Sequence, residues 1–292
     1  MDTQGYRASL ARGEMRLGNV DLFVCTDGTF TLDGGALFGV VPRVLWKGVL
    51  PPDELNRVPM ALNCLLIVSE GKRILVDTGF GAKLSQRERE IHGLQRGEGD
   101  LLQAIGRLGY LASDIDIVIN THLHPDHCGG NTSQHDGLPT PTFPNAEYWI
   151  QRQEWADACS PNERTRKTYL AKNLVPLGEA HELRLLDGDA RVTDQVRCVV
   201  TRGHTRGHQS VVVESGGEAA LFLGDLAPKA VHLERLAWTT AFDTEPLETV
   251  EAKRAWRDWA LENDAVLFFG HDGQTPVGRL RVKSGHFRVD AL

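Results

Sequence analysis

The chain has 292 residues, of which 41% are hydrophobic and 24% charged, a balance typical of one large globular α/β domain. Its formal net charge of −7 at pH 7 disfavours a nucleic-acid partner, because phosphates attract basic surfaces. The five cysteines include no CxxC pair, so we expect buried thiols rather than a disulfide framework or a cysteine-type zinc site.

The N-terminal segment and the apolar runs argue against export and membrane insertion. The start of the chain contains no apolar core of a secretory signal, and no apolar run is long enough to span a membrane. We therefore expect a cytoplasmic protein with a small-molecule substrate, and neither a membrane nor a nucleic acid as its partner.

Short apolar runs in the first part of the chain predict β-strands. Val20–Cys25 predicts a first strand, and Leu62–Val68 and Arg73–Val76 predict a hairpin. Asp100–Leu108 has the composition of a helix. Ile115–Ile119 is a continuous apolar run, which is typical of a strand buried on both faces.

The second part of the chain continues this alternation. The predicted helices are Gln151–Ala158, Glu163–Leu174 and Pro246–Leu261, the last with Asp243 or Thr244 as its N-cap. The predicted strands are Arg197–Thr201, Ser210–Val213, Ala220–Leu223, Ala265–Phe269 and a closing hairpin over Gly278–Val289. Strands interleaved with helices predict a single α/β domain over residues 1–292, with its sheets covered by helices.

The segment Gly28–Met60 follows neither the helical nor the strand period. It contains several prolines and apolar side chains, which predicts a long loop over residues 28–60. One interpretation is that this loop covers the active site, where Phe38, Val41, Leu45 or Trp46 forms an apolar wall, or that a second subunit of a homodimer covers it. The alternative is that these side chains simply pack on the core.

The strongest chemical signal is the segment Thr121–His127, which follows directly on the predicted strand Ile115–Ile119. It holds three imidazoles and one carboxylate within six residues, namely His122, His124, Asp126 and His127. Imidazole and carboxylate are ligands suited to zinc and related divalent metals. A solvated histidine-rich loop is the alternative, and the preceding buried strand disfavours it.

Three further side chains of the ligand type each follow the carboxyl end of a predicted strand: His208, Asp225 and His271. In sheets of this kind, functional sites gather at strand ends. Each signal alone is weak, but together with the segment Thr121–His127 they predict one metal site at a shared sheet edge.

Together these motifs resemble those of the metallo-β-lactamase superfamily: His-x-His-x-Asp-His at 122–127, Gly-His-Thr-x-Gly-His at 203–208, Gly-Asp at 224–225, Gly-His at 270–271 and Leu-Val-Asp-Thr-Gly at 75–79. The resemblance implies a four-layer αββα sandwich with a dinuclear metal site at one edge of the sheets. It also implies two Zn²⁺ per chain, with other divalent metals as alternatives.

The resemblance further assigns a role to each motif residue. The implied ligand sets are His122, His124 and His208 for one zinc, Asp126, His127 and His271 for the other, and Asp225 as the bridge. Asp77 then supports the ligands, and His204 is structural.

The implied activity is that of a metal-dependent hydrolase in which a metal-bridging hydroxide attacks the substrate and Asp126 is the catalytic carboxylate. Parts of the chain are similar to methyl parathion hydrolase, and the quorum-quenching lactonases share the ligand plan. Those lactonases often carry a tyrosine three residues after the bridging aspartate, where this chain has Pro228. We expect hydrolysis of a small, fairly apolar ester, a lactone first. Organophosphate triester hydrolysis is the alternative, and an iron-dependent persulfide dioxygenase or a thioesterase is less favoured.

Overall fold

The computed structural model describes residues 14–179 and 182–292. The prediction that the chain begins without a secretory signal rests largely on residues 1–13 and therefore falls outside this range. Within the range, strands alternate with mostly short helices, as the apolar runs predict.

Each predicted run contains a strand, although the strands within 115–119 and 265–269 are shorter than predicted. The strands at 14–17, 132–135, 138–141, 147–151, 183–186 and 190–191 were not predicted. The strands of the first half are β1 (Glu14–Leu17), β2 (Val20–Asp33), β3 (Arg57–Ser69), β4 (Lys72–Val76), β5 (Ile117–Ile119), β6 (Thr132–His135), β7 (Leu138–Pro141), β8 (Glu147–Gln151) and β9 (Leu183–Leu186). Those of the second half are β10 (Ala190–Arg191), β11 (Val196–Val200), β12 (Gln209–Ser215), β13 (Glu218–Phe222), β14 (Val266–Phe268), β15 (Val277–Lys283) and β16 (His286–Ala291).

The helices lie between the strands and after them. They are α1 (Gly34–Phe38), α2 (Arg43–Trp46), α3 (Gln86–His92), α4 (Leu101–Arg107), α5 (Pro125–Cys128), α6 (Arg152–Cys159), α7 (Ala171–Glu179), α8 (Ala230–Glu234) and α9 (Pro246–Glu262). Asp100 caps α4, because its side chain accepts the N–H of Gln103 at 2.9 Å. In the part of the chain that the structure covers, none of these helices combines the length and apolarity needed to cross a bilayer.

Among the described residues, the strands form two seven-stranded sheets and one small hairpin. The first sheet has the order β1-β2-β3-β4-β5-β8-β9, and the second runs from β10 to β16 in sequence order. β4, β5 and β8 are parallel to one another, as are β13 and β14. Parallel strands end at the same sheet edge, so the segments that follow them meet there.

The alternation of side chains along each strand builds the apolar layers. Ile74 and Val76 of β4 face the layer between the two sheets, whereas Leu75 faces the outer layer that includes Ile105 of α4. In the second sheet, Leu267 of β14 faces the other outer layer, which α9 covers. Removing a side chain of this size from water contributes about 1.5–3 kcal/mol. The four-layer αββα arrangement implied by the motifs is therefore confirmed.

The prediction of one long loop over residues 28–60 is wrong. β2 extends to Asp33 and β3 begins at Arg57, because the two strands stay paired between Thr29–Ala61 and Asp33–Arg57. The segment between them forms α1 and α2, and Asp33 caps α1 by accepting the N–H of Ala36 at 3.0 Å.

The prediction of a helix over Glu163–Leu174 is also wrong, because α7 begins only at Ala171. The side chain of Asn162 accepts the backbone N–H groups of Arg164 and Thr165, at 2.9 and 3.1 Å. The hydroxyl of Thr168 donates to the carbonyl of Thr165 at 2.9 Å. These local hydrogen bonds hold the segment in turns, since polar side chains compete with a helix for backbone groups.

The cysteines are unpaired. Four are buried, as expected: Cys25, Cys64, Cys128 and Cys198. Cys159, the last residue of α6, is exposed and departs from the expectation.

Candidate metal centre

Four loops meet at one edge of the two sheets, and each follows the carboxyl end of a strand. The loop after β5 begins at Asn120, and the loop after β14 contains His271. The loops after β11 and β13 contain His204 and Asp225. The first sheet therefore contributes one ligand-bearing loop and the second sheet contributes three.

Seven side chains from these loops form what we call the His/Asp cluster: His122, His124, Asp126, His127, His204, Asp225 and His271. Three overlapping groups in it have potential ligand atoms within 4.8 Å of one another: His122 with His124 and His204, His122 with His127 and Asp225, and Asp126 with His127 and His271. Asp126 is half-buried and the other six are buried. Six of the seven residues that the sequence motifs single out as ligands are thus brought together.

The exception is His208, whose place is taken by His204. His204 Nε2 lies 3.1 Å from His124 Nδ1 and 3.3 Å from Asp225 Oδ2. By contrast, His208 Nε2 accepts the backbone N–H of Asp225 at 3.0 Å, and its Nδ1 lies 2.8 Å from the hydroxyl of Thr201. Both ring nitrogens of His208 are engaged by the protein, so this geometry contradicts the prediction that His208 is a ligand and His204 structural.

The reason lies in how the loop after β11 closes. The N–H of Thr201 donates to the carbonyl of His208 at 2.9 Å, so these two residues pair at the base of the loop. His204 is at its tip, after Gly203, whose φ of 138° falls in the region that favours glycine. The tip places His204 Nε2 among the potential ligand atoms, whereas His208 Nε2 at the base is used by the backbone N–H of Asp225.

Hydrogen bonds to the protein set the tautomers of two histidines that face each other. His271 Nδ1 lies 2.7 Å from the carbonyl of Ala61, which can only accept, so Nδ1 carries the proton. His127 Nδ1 donates to the carboxylate of Asp77 at 2.8 Å. The Nε2 atoms of the two rings are then both acceptors, and they lie 2.9 Å apart. Two lone pairs at this distance repel each other unless a cation or a proton lies between them.

Two further histidines have the same arrangement. His204 Nδ1 donates to Asp243 at 2.9 Å. His122 Nδ1 lies 3.1 Å from the hydroxyl of Thr121, which itself donates to Asp77. His122 Nε2 therefore points inward as an acceptor, and it is buried without a hydrogen-bond partner. Metal-binding histidines characteristically use one nitrogen for the ion and the other for a carboxylate, carbonyl or hydroxyl. The residues present therefore fit divalent cations.

The electrostatics of the cluster agree with this fit. Burial, and after it the nearby His204, lowers the pKa of His124 to about 3, which keeps the ring neutral as a ligand must be. Burial opposes a charge on His127, but the carboxylates of Asp225, Asp126 and Asp77 outweigh it and raise the pKa of this ring well above its usual value. Such a concentration of negative charge attracts a cation.

A model of the metallo-beta-lactamase superfamily matches residues 57–271, which is more than half of the chain. The chain belongs to this superfamily. An N-acyl homoserine lactonase from a Bacillus species is 29% identical over 236 residues, covering 77% of this chain and 86% of that protein.

Two solved structures extend the comparison. A probable metal-dependent hydrolase from Staphylococcus aureus has a TM-score of 0.86 at 27% identity and covers 95% of this chain and 97% of its own. AidC, a dizinc quorum-quenching lactonase solved with its product, has a TM-score of 0.80 at 23% identity and covers 96% of each chain. The latter likeness shows the fold alone. With the His/Asp cluster, these relationships identify a metal-dependent hydrolase similar to lactonases.

A cavity of about 290 Å³ opens onto the His/Asp cluster. Its apolar walls are Phe30, Leu32, Leu37, Met60, Phe80, Pro125, Pro228 and Phe242. Its polar walls, apart from the cluster, include His92, Lys167, Thr168 and Thr240. Such a volume with mainly apolar walls suits a small organic ligand.

The four side chains predicted to form the apolar wall are not among these walls. Phe38 of α1 and Trp46 of α2 are buried and stack on each other with ring centroids 5.0 Å apart, so they pack the two helices together and do not face the cavity. Leu45 is 55% exposed, and Val41 packs only partly on the same apolar group. The neighbouring Leu37 reaches the cavity instead.

Two carboxylates that the sequence does not single out as part of the site lie against the ligand loops. The N-cap of α9 is Glu245 and not Asp243 or Thr244 as predicted, and Asp243 accepts instead from His204 and from the hydroxyl of Thr240. Glu154 is buried in α6 and accepts three hydrogen bonds. Their partners on the ligand loops are distant in sequence, so no local pattern marks either residue as part of the site.

Proposed function

We propose that the His/Asp cluster holds two zinc ions and that the protein is a dinuclear hydrolase that opens the ring of an N-acyl lactone. One ion would be held by His122, His124 and His204, and the other by Asp126, His127 and His271. The position of Asp225 supports a bridge between them. Its Oδ2 lies 3.3 Å from His204 Nε2, and its Oδ1 lies 3.2 Å from His271 Nε2, so each oxygen faces one of the two sets.

The chemistry that such ions supply is Lewis acidity, which lowers the pKa of water to about 7 and polarises a carbonyl oxygen. The protein's own contribution is to hold the ligands in place. Asp77, Asp243, Thr121 and the carbonyl of Ala61 each fix one or two of the imidazole rings. Preset ligands cost no reorganisation when the substrate reacts.

Asp126 is the carboxylate best placed for proton transfer. It lines the cavity and its side chain is 21% exposed, whereas that of Asp225 is 11% exposed. Its Oδ2 faces His271 Nε2 at 3.5 Å. Opening a lactone adds a hydroxyl to the carbonyl carbon, breaks the ring C–O bond and places a proton on the leaving oxygen. We assign to Asp126 Oδ1 the transfer of that proton from the attacking water to the ring oxygen.

The cavity and the relatives together favour a lactone with an acyl chain. The walls present few charges beyond the cluster, so they suit a hydrocarbon chain better than an anionic group. The Bacillus relative is an N-acyl homoserine lactonase and aligns over most of both chains. This supports an N-acyl homoserine lactone as the substrate class.

One observation favours organophosphate triester hydrolysis as a second candidate. Pro228 lines the cavity three residues after Asp225, at the position where quorum-quenching lactonases often carry a tyrosine. Proline has no hydroxyl, so it cannot donate a hydrogen bond to a lactone carbonyl. A phosphoryl oxygen polarised by the metals alone would not need that donor.

The test is a comparison of kcat/KM for N-decanoyl homoserine lactone and an aryl phosphotriester on one zinc-loaded sample. The control is the same sample after chelation and after the return of zinc. We expect the lactone value to be higher by at least about tenfold, which is about 1.4 kcal/mol of transition-state stabilisation. A higher phosphotriester value would select the second candidate, and turnover of neither substrate would contradict both.

A further inference from the structure

A buried carboxylate outside the His/Asp cluster joins two of the loops that carry its histidines. Glu154 lies in the first turn of α6 and is 1% exposed. Its Oε1 accepts the backbone N–H of Leu123 at 2.9 Å and the hydroxyl of Tyr169 at 3.0 Å. Its Oε2 accepts the hydroxyl of Thr205 at 2.6 Å. Each oxygen therefore has a donor, as burial of a carboxylate requires.

Two of these donors belong to loops from different sheets. Leu123 lies on the loop after β5, between two of the histidines, and Thr205 directly follows His204 on the loop after β11. The second loop also packs closely on α6, since a Cβ at Gly207 would come within 2.3 Å of the backbone nitrogen of Glu154. The apolar layer between the sheets is non-directional and cannot by itself set the position of a loop.

We infer that Glu154 is a positioning residue that sets the distance between His124 and His204, two histidines of one proposed zinc site that come from opposite sheets. This inference rests on the proposed metal centre. His124 Nδ1 and His204 Nε2 are 3.1 Å apart. Two nitrogens bound to one tetrahedral zinc at about 2.0–2.1 Å are separated by about 3.3 Å. The two rings therefore already have the required spacing, and Glu154 hydrogen-bonds to the residue next to each of them, Leu123 and Thr205.

Three substitutions separate this role from simple packing. Glu154→Ala removes the link to both loops. Thr205→Val removes only the donor on the second loop while keeping the shape of the side chain. Glu154→Gln keeps every contact, because its carbonyl accepts from Leu123 and Tyr169 and its amide donates to the hydroxyl of Thr205.

Gln151, on the same segment, provides a matched control. It is buried and donates to the side chain of Gln209 at 2.9 Å, so it also connects the two sheets. Its side chain hydrogen-bonds to Gly188 and Gln209 and not to Leu123 or Thr205. Gln151→Ala should therefore lower the stability of the fold without changing the spacing of the two histidines.

The experiment measures the zinc affinity of the full chain by competition with a chromophoric chelator, beside urea unfolding of the metal-free protein. We expect Glu154→Ala and Thr205→Val to weaken zinc binding by about 10- to 100-fold, and Glu154→Gln and Gln151→Ala to stay within about threefold of the wild type. The double variant Glu154→Ala/Thr205→Val should bind zinc no more weakly than Glu154→Ala alone, because both substitutions remove the same hydrogen bond between Glu154 and Thr205.

Wild-type affinity in Glu154→Ala and Thr205→Val would overturn the inference, as would an equal loss in Gln151→Ala. If Glu154→Ala does not fold, Thr205→Val decides the question alone. A wild-type protein that binds no zinc would overturn the proposed metal centre and this inference together. Zinc binding by the wild type with no loss in the two variants would overturn this inference only.

Discussion

Asp77 offers the sharpest test of how the protein holds its histidines. Its Oδ1 accepts the backbone N–H of Thr121 at 2.8 Å, and its Oδ2 accepts the hydroxyl of Thr121 at 2.9 Å and His127 Nδ1 at 2.8 Å. The backbone of Asp77 has a φ of 58°, in the left-handed region. Asparagine adopts this region as readily as aspartate, so Asp77→Asn changes the hydrogen bonds and leaves the backbone alone.

The magnitude follows from counting donors. An amide has one acceptor oxygen, so its NH₂ group must face either the N–H of Thr121 or His127 Nδ1. In either orientation a buried donor loses its acceptor, which costs about 1–3 kcal/mol. In the second orientation His127 must move its proton to Nε2, which lies 2.9 Å from His271 Nε2 and is the nitrogen proposed to bind zinc.

Urea unfolding of the metal-free protein and zinc competition measure the two consequences separately. We expect Asp77→Asn to lower the free energy of unfolding by about 1–3 kcal/mol. We also expect zinc affinity to fall by about 10- to 100-fold. Asp116→Asn is the control, since Asp116 accepts from Arg73 away from the cluster. Unfolding within about 0.5 kcal/mol of the wild type, with unchanged zinc affinity, would refute the reasoning.

Three further predictions concern the site and the fold. His204→Ala should reduce zinc from two ions per chain to about one and lower kcat/KM by about 100-fold or more, or about 2.7 kcal/mol; elemental analysis that finds both ions retained would contradict the assignment of His204. Leu37→Ala should lower kcat/KM for a decanoyl lactone by about 3- to 10-fold, because the acyl chain loses apolar contact with the cavity wall. The same variant should keep the wild-type kcat/KM for a butanoyl lactone, and the control Leu45→Ala, at an exposed position, should keep the wild-type kcat/KM for the decanoyl lactone. Burial lowers the pKa of Lys253 to about 8, below its unfolded value of about 10.4. The buried charge therefore destabilises the folded state fully below pH 8, and this destabilisation decreases as the pH rises from about 8 to about 10. Between about pH 8 and pH 10, the free energy of unfolding of the wild type should therefore increase relative to that of Lys253→Met. A difference between the two proteins that stays constant over this pH range would contradict the prediction.

The local sequence pattern was sufficient to predict the layers of the fold and most residues of the His/Asp cluster. Runs such as Ile115–Ile119 become strands because apolar periodicity depends only on neighbouring residues. His122, His124 and His127 follow a buried strand, so their arrival at the sheet edge could be foreseen from the chain alone. Their chemistry is a property of the residue type and does not depend on distant contacts.

The choice between His204 and His208 could not be made in the same way. The two rings have identical chemistry. The backbone pairing of Thr201 with His208 leaves His204 at the tip of the loop, 3.1 Å from His124, whereas His208 Nε2 is used by the backbone N–H of Asp225. The role of Asp243 could not be predicted from the sequence either. Its side chain was equally suited to an N-cap, but in the structure it accepts a hydrogen bond from His204.

The cavity depends still more on distant contacts. Leu37 and Phe38 are neighbours of similar apolarity, yet one lines the cavity and the other stacks on Trp46. Sequence pattern records the type and period of side chains. The direction in which a short helix such as α1 points its side chains depends on how the backbone on either side closes and on partners far along the chain. The identity of the ligands was therefore largely local information, and their selection and the shape of the cavity came from tertiary packing.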